Sequence, residues 1–362
     1  MSNARFIKDF HQLCCLGVNS RELMPHLIRE VENNIPTIMV SFQWTNGNGN
    51  TVDYYHTGAD FPLELQQRCL DVVINGTEAE YGPTTRDFLS GTESVINYSQ
   101  RYARRYHNSS AYDEVHRPIG IYHFTRAATH DGQRATGLFH FCRSRQDPDF
   151  SENELSLIQQ LLPLISHAVS ADNSHPGYDQ LTDGEFGQIV VTPSAGVEYC
   201  DAEGQQFLNH MIKVPLRTGH NATPKFEEIV AQLLRKLNHP EEKPAPPALR
   251  LRTLWGHFTL RATWLRSNPA PESKPMISIQ VQHHLPLPLR LWQRLQESPL
   301  SSKQKEIGLL LTQGLGREEI ARRLGQSPHT ITTHVRQLYL RLHVSNREEL
   351  LKQLLTHSTH TF

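Results

Sequence analysis

Residues 299–355 read PLSSKQKEIGLLLTQGLGREEIARRLGQSPHTITTHVRQLYLRLHVSNREELLKQLL, and their start and stop signals divide them into four short helices. Ser301 and Gln304 form a capping box: the hydroxyl accepts from the amide three residues on, and the glutamine reaches back to the cap amide. The helix that follows buries Ile307, Leu310 and Leu311. Gly314 and Gly316 interrupt the chain, and Arg317 to Leu324 form a second helix with Ile320, Ala321 and Leu324 inward. Gly325 ends it, because only glycine enters the left-handed cap conformation without steric cost. Ser327 is an N-cap, and Pro328 stands at the first helical position, where its missing N–H is no loss. Ile331, Val335, Leu338 and Leu342 step by four, three and four along a third helix. Asn346 and Glu349 cap a fourth, which carries Leu350, Leu351, Leu354 and Leu355.

The outward side of the third helix holds His329, Thr332, Thr333 and Arg336, spaced so that they share a face with no acidic residue. An arginine can fork onto guanine, and threonine can hydrogen-bond a base or touch a thymine methyl. Two helices joined by a tight glycine turn, with a polar cationic face on the second, make a helix-turn-helix. Charge agrees. Residues 300–362 hold nine Lys or Arg against five Asp or Glu, a net of +4, whereas the rest of the chain holds 27 against 32, a net of −5. A basic end on an acidic body points to a polyanionic partner.

The stretch closely resembles the LuxR-type DNA-binding domain. The family's recurring positions appear as Leu300-Ser301, Gly314-Leu315, Glu319-Ile320-Ala321, Ser327 with Thr330-Ile331, His334, and Leu342, Val344 and Arg347. The resemblance implies an all-α four-helix fold that binds double-stranded DNA. It assigns Thr332, Thr333 and Arg336 to base contacts, with His329 on the same face, and Arg322, Arg323, His334 and Arg341 to phosphates. Three positions depart from the pattern: Thr332 replaces the usual lysine, Gln326 an apolar residue, and Gly316 the usual serine cap. The first of these lowers the charge on the groove face, so the family's target preference does not transfer. Four leucines on the fourth helix exceed what one core face needs. Leu350, Leu351 and Leu354 are therefore candidates for pairing with a second copy, and a homodimer is expected.

Upstream, the chain of 362 residues is 38% hydrophobic and 20% charged, a globular composition with length for two or three domains. TIMVSFQW (37–44) alternates as a half-buried strand, NGNGN (46–50) is a turn signal, and TVDYYHTG is the return strand. IGIYHFTR (119–126) and TGLFHFCR (136–143) read as a second strand pair. Ser151 and Glu154 cap a long helix with Leu155, Ile158, Leu162, Ile165 and Val169 on one face and a kink expected at Pro163. This order resembles a GAF sensory domain over residues 1–170. Residues 181–284 open strand, turn, strand, helix and close with three strand-like runs, resembling a PAS domain. Residues 285–298, with Pro286 and Pro288 beside a helix-like RLWQRLQE run (290–297), read as a semi-rigid linker, 299–357 as the DNA-binding domain, and 170–180 as another break. The expected fold is multidomain α+β: GAF-like and PAS-like α/β sensory domains followed by the four-helix domain. No internal repeat of fixed period is visible.

No metal-ligand spacing occurs around His123, His140 or His283-His284, and neither a nucleophile elbow nor a phosphate-binding glycine loop is present. No catalytic residue, metal or cofactor is therefore expected. Most of the 21 histidines read as solvated or on strand surfaces. Five cysteines, an odd number without a C-x-x-C pair, together with no signal-peptide core and no membrane-length apolar run, fit a cytoplasmic protein. The aromatic strand residues Phe42, Trp44, Tyr54, Tyr122 and Phe139 are candidates to line a small-molecule pocket in the first domain. Two other readings stay open: an enzyme of unrecognised type with a DNA-binding tail, and an interaction protein that sequesters a partner regulator.

Overall fold

The computed structural model describes residues 3–46, 49–57, 63–74, 77–132, 134–170, 181–211, 225–238, 248–253, 255–265 and 275–356. Residues 171–180 of the expected break and the Pro-rich sequence stretches 239–247 and 268–274 lie outside them. In chain order the elements are α1 (Asn3–Cys14), α2 (Ser20–Glu32), β1 (Met39–Thr45), β2 (Thr51–His56), α3 (Leu63–Ile74), α4 (Thr85–Ser90), β3 (Val95–Asn97), α5 (Tyr98–Arg101), α6 (Ala103–His107), β4 (His123–Asp131), β5 (Arg134–Arg143) and α7 (Glu152–Ser170). They continue as β6 (Leu181–Val191), β7 (Val197–Cys200), α8 (Ala202–Met211), α9 (Phe226–Asn238), β8 (Ala248–Thr253), β9 (Gly256–Leu265) and β10 (Met276–Pro286). The chain closes with α10 (Leu287–Glu297), α11 (Ser302–Thr312), α12 (Arg317–Leu324), α13 (Pro328–Arg341) and α14 (Arg347–Thr356).

These elements fall into two units: residues 19–171 with 185–283, and residues 1–18 with 172–184 and 284–362. The first unit holds two five-stranded antiparallel sheets, ordered β2-β1-β5-β4-β3 and β7-β6-β10-β9-β8. Each runs second, first, fifth, fourth, third in its own chain order, so the architecture repeats where the sequence shows no repeat. In β1 the alternation separates two faces: Val40, Phe42 and Trp44 are buried on one, and Met39, Ser41 and Gln43 line a cavity on the other. Helix α7 packs on β4 and β5. Its cap is the one the sequence announces, since Ser151 Oγ donates to Glu154 Oε2 at 2.7 Å and the Glu154 amide donates back at 3.4 Å. The helix continues through Pro163 to Ser170.

Apart from β3, the described residues of 63–74 and 77–119 form helices and turns, and Cys69, Val72, Tyr81, Ala111, Val115, His116 and Ile119 among them line the cavity. The run RYARRY (101–106) carries the end of α5 and the start of α6 on either side of Tyr102. Tyr106 is fully buried there, and Arg105 donates to the Ala79 and Glu80 carbonyls. The histidines differ from expectation: His26, His56, His140 and His210 are buried.

In the second unit, the helix-like run RLWQRLQE (290–297) inside the expected linker 285–298 is helical. It lies in helix α10, whose Pro288 sits in the first turn, where a missing N–H is tolerated, and whose Leu289, Leu291, Trp292 and Leu295 are buried. It packs on α11 and α14. Gly308 of α11 permits this, because a Cβ there would lie 3.0 Å from Leu295 and 3.1 Å from Leu338. Helix α1, assigned by sequence to the first domain, belongs to this unit and contacts α11, with Lys8 Nζ donating to Glu306 at 2.8 Å. Its buried stripe is Phe6, Phe10, Leu13 and Cys14.

Candidate nucleic-acid interface

The caps of the C-terminal helices form as the residue types require. Ser301 accepts from the Gln304 amide while Gln304 accepts from the Ser301 amide. Gly325 adopts φ 60° and ψ 37°, and the Gln326 amide donates to the Ala321 carbonyl at 2.9 Å, which closes α12 with a left-handed residue and turns the chain into α13. Ser327 then accepts from the Thr330 amide at 3.1 Å. Arg347 donates to the Thr312 carbonyl at 3.2 Å, satisfying a group that the end of α11 leaves open. Asn346 accepts from the Glu349 amide at 2.9 Å.

Ile331, Val335 and Leu338 are buried against α11 and α12 and fix the rotation of α13. His329, Thr332, Thr333 and Arg336 are consequently exposed together on the opposite side. The two threonine hydroxyls donate to carbonyls one turn back, Thr332 to Pro328 at 2.9 Å and Thr333 to His329 at 3.1 Å. This leaves their methyls and oxygen lone pairs outward. Leu340 continues the row four residues after Arg336 and is 66% exposed. Sequence reading passed over it, although an apolar side chain in phase with the polar face was the available signal.

The residues assigned to phosphates lie on α12 and α13. Arg322 and Arg323 are exposed near the end of α12. Arg341 is exposed, with its guanidinium donating to Gln304 Oε1 at 2.9 Å, so its position is set by α11. His334 is half-buried, with Nδ1 enclosed and without a partner among the described residues.

The leucines of α14 need a correction. Leu350 and Leu354 are buried within the chain, because α10 and α11 pack on α14. They fill the core of this unit and do not face a second copy. Leu351 is half-buried and Leu355 is 38% exposed, so the free apolar surface of α14 is smaller than four leucines suggest.

The expected pocket residues also separate. Tyr54 lines the cavity on the first sheet, whereas Phe42, Trp44 and Phe139 lie on the opposite face, with Phe42 packed 4.9 Å from Trp44 and 4.6 Å from Phe139. Tyr122 stacks on His107 at 4.3 Å and does not line the cavity. The strand period is the reason, because the large aromatics of β1 take the helix-covered side. Ser41, Gln43, His56, Arg126 and His140 line the cavity instead. Among the described residues no group of three or more His, Cys, Asp or Glu side chains is placed to hold a metal ion, and no helix is long and apolar enough to cross a membrane.

Residues 298–353 match the family described as bacterial regulatory proteins, luxR family. No curated protein matches the chain. Among solved structures, Escherichia coli SdiA is similar at 11% identity over 92% of this chain and 89% of that one, with a TM-score of 0.28. The phage VqmA–DPO complex is similar at 16% identity over 51% of this chain and 86% of that one, with a TM-score of 0.18. The E. coli DhaR(N)–DhaL complex is similar at 10% identity over 79% and 90%, with a TM-score of 0.23.

Proposed function

With a luxR-family helix-turn-helix, the DNA-binding domain of bacterial regulators, at residues 298–353, we propose that the chain is a cytoplasmic, homodimeric transcription regulator that reads specific DNA through α13. In this reading the two-sheet unit senses a small molecule and sets the availability of the DNA-binding unit, and the protein has no catalytic role. The observation that carries it is the face of α13. His329, Thr332, Thr333 and Arg336 are exposed together without an acid, on a helix whose rotation is fixed by a buried core. Arg336 is assigned to a base edge, Thr332 and Thr333 to bases or thymine methyls, and Arg322, Arg323, His334 and Arg341 to phosphates.

Two substitutions separate these roles. Arg336→Ala is expected to relax preference at one base position at a cost of about 1–3 kcal/mol. Arg341→Ala is expected to weaken binding to all sequences alike and to reduce the salt slope by about one. Titration of a selected fragment and of its scrambled version at several salt concentrations reads both effects. Unchanged affinity and specificity in Arg336→Ala would remove α13 from the groove. It would then favour the reading in which the helical unit pairs with another regulator.

A further inference from the structure

The cavity on the first sheet measures about 90 Å³, counted as space open to the centre of a water molecule. At ~10–15 Å³ per water on that measure, it has room for several waters or one small organic molecule. A polar row crosses its sheet wall. Strand register sets His56 opposite Ser41, Ser41 opposite His140, and His140 opposite Arg126, across β2, β1, β5 and β4. The next row, Met39, Cys142 and Phe124, is apolar, and Val72, Val115 and Ile119 close the cavity from above it.

Two members of the polar row carry buried nitrogens for which no described residue supplies a hydrogen-bond acceptor. Ser41 Oγ lies 3.0 Å from His140 Nδ1, which leaves His140 Nε2 unmatched. Glu78 and Tyr81 engage Arg126 Nη2, which leaves Arg126 Nε and Nη1 unmatched. His140 is 8% exposed and Arg126 2%. Buried polar atoms without partners are rare in native proteins, and each carries a desolvation cost that a ligand acceptor would recover.

Charge narrows the class. Glu78 already neutralises Arg126. Burial, reinforced by the nearby Arg126, holds His116 and His140 neutral by pushing both imidazoles down. A carboxylate entering here would be a buried charge with its natural partner already taken. Water alone suits the polar row but finds no hydrogen-bond partners at the apolar end.

We propose that this cavity binds a compact, uncharged organic molecule whose apolar body lies against Val72, Val115 and Ile119 and whose carbonyl, hydroxyl or ring-nitrogen lone pair accepts from Arg126. His140 Nε2 supplies the second polar contact. The inference rests on the two-sheet unit being the sensing part of a regulator, and it names the class of molecule sensed.

Acetophenone, ethylbenzene and benzoate test it, because they share one ring size and differ in carrying a neutral acceptor, none, or a charged one. Equilibrium dialysis against the purified full chain should give saturable uptake of one acetophenone per chain, about tenfold tighter than ethylbenzene or benzoate. His140→Phe keeps a ring beside Phe124 and removes both nitrogens; it should shrink the preference for acetophenone over ethylbenzene. Val72→Trp should fill the space and reduce binding of all three. Far-UV circular dichroism verifies that both variants are folded. Tighter binding of benzoate, equal binding of acetophenone and ethylbenzene, or uptake of none of the probes would each overturn the assignment, as would undiminished binding in folded Val72→Trp. DNA retention by the same sample separates the two levels. Retention without probe uptake overturns the ligand class alone, and uptake without retention overturns the regulator reading alone.

Discussion

Acidification from pH 6.5 to 5 is expected to destabilise the two-sheet unit by about 5 kcal/mol, a large share of the 5–15 kcal/mol typical of a domain. Three imidazoles produce the effect, His26 and His140 buried and His116 half-buried. Burial, helped by Arg29 and His283, holds His26 down to about 3. Burial, helped by Arg126, holds His116 down to about 3. Burial, with Arg126 and His116 adding to it, places His140 well below its ordinary value. In the unfolded chain all three titrate near 6.5. Between about 6.5 and 3 the unfolded state therefore binds more protons than the folded one, so stability is full above 6.5 and falls as pH falls through that window. Each proton contributes roughly 1.4 kcal/mol per pH unit. Urea midpoints followed by far-UV circular dichroism in half-unit steps check this. A flat or rising midpoint between pH 6.5 and 5 would contradict the burial of these groups as neutral imidazoles.

Glu78→Ala is expected to cost about 3–5 kcal/mol, because it leaves the Arg126 guanidinium charged and unpaired inside the protein. The side chains of Arg126 and Glu78 are 3% and 1% exposed. Glu78 also accepts from the Thr85 amide at 2.5 Å and from the Thr85 hydroxyl at 2.8 Å, so its loss strands two further donors. The guanidinium lies over Tyr98 and Phe124, with centroid distances of 5.1 and 5.4 Å, which limits its movement toward water. Replacing both partners, as in Glu78→Leu with Arg126→Met, should cost less than Glu78→Ala alone, since neither charge then has to be desolvated. A double-mutant cycle on urea midpoints measures the difference. A loss below about 1 kcal/mol in Glu78→Ala, or simple additivity in the cycle, would show that the pair is neither buried nor coupled.

What could be read from the sequence follows from how local each signal is. Ser301 with Gln304, Gly325, Ser327 with Pro328, and Asn346 with Glu349 act within four residues of themselves, and each forms the cap its type requires. The same locality made α7 and the β1–β2 pair legible. Pro286 and Pro288 suit both an extended linker and a first helical turn, and the run RLWQRLQE (290–297) after them reads as helical, as it is. The buried stripe of Leu289, Trp292 and Leu295 was the signal that distinguishes them. The place of α1 beside α11 rests on contacts such as Lys8 with Glu306, nearly 300 positions apart, which no local pattern encodes. The cavity was misjudged for a different reason. Ser41 and Gln43 alternate with Phe42 and Trp44 as a solvent face would, and only the helices of 63–119 show that this polar side is enclosed. Those helices are short and irregular, so they carry no period to read.

The central claim is that α13 reads DNA sequence. Its most direct measurement is the sequencing of genomic fragments retained by the purified full chain, beside the same selection with Arg336→Ala. Expected is enrichment of fragments that share a motif, with paired half-sites about one helical turn apart if two copies bind together, and loss of preference at one motif position in the variant. Retention of no fragments, or the same unpatterned set with both proteins, would contradict it.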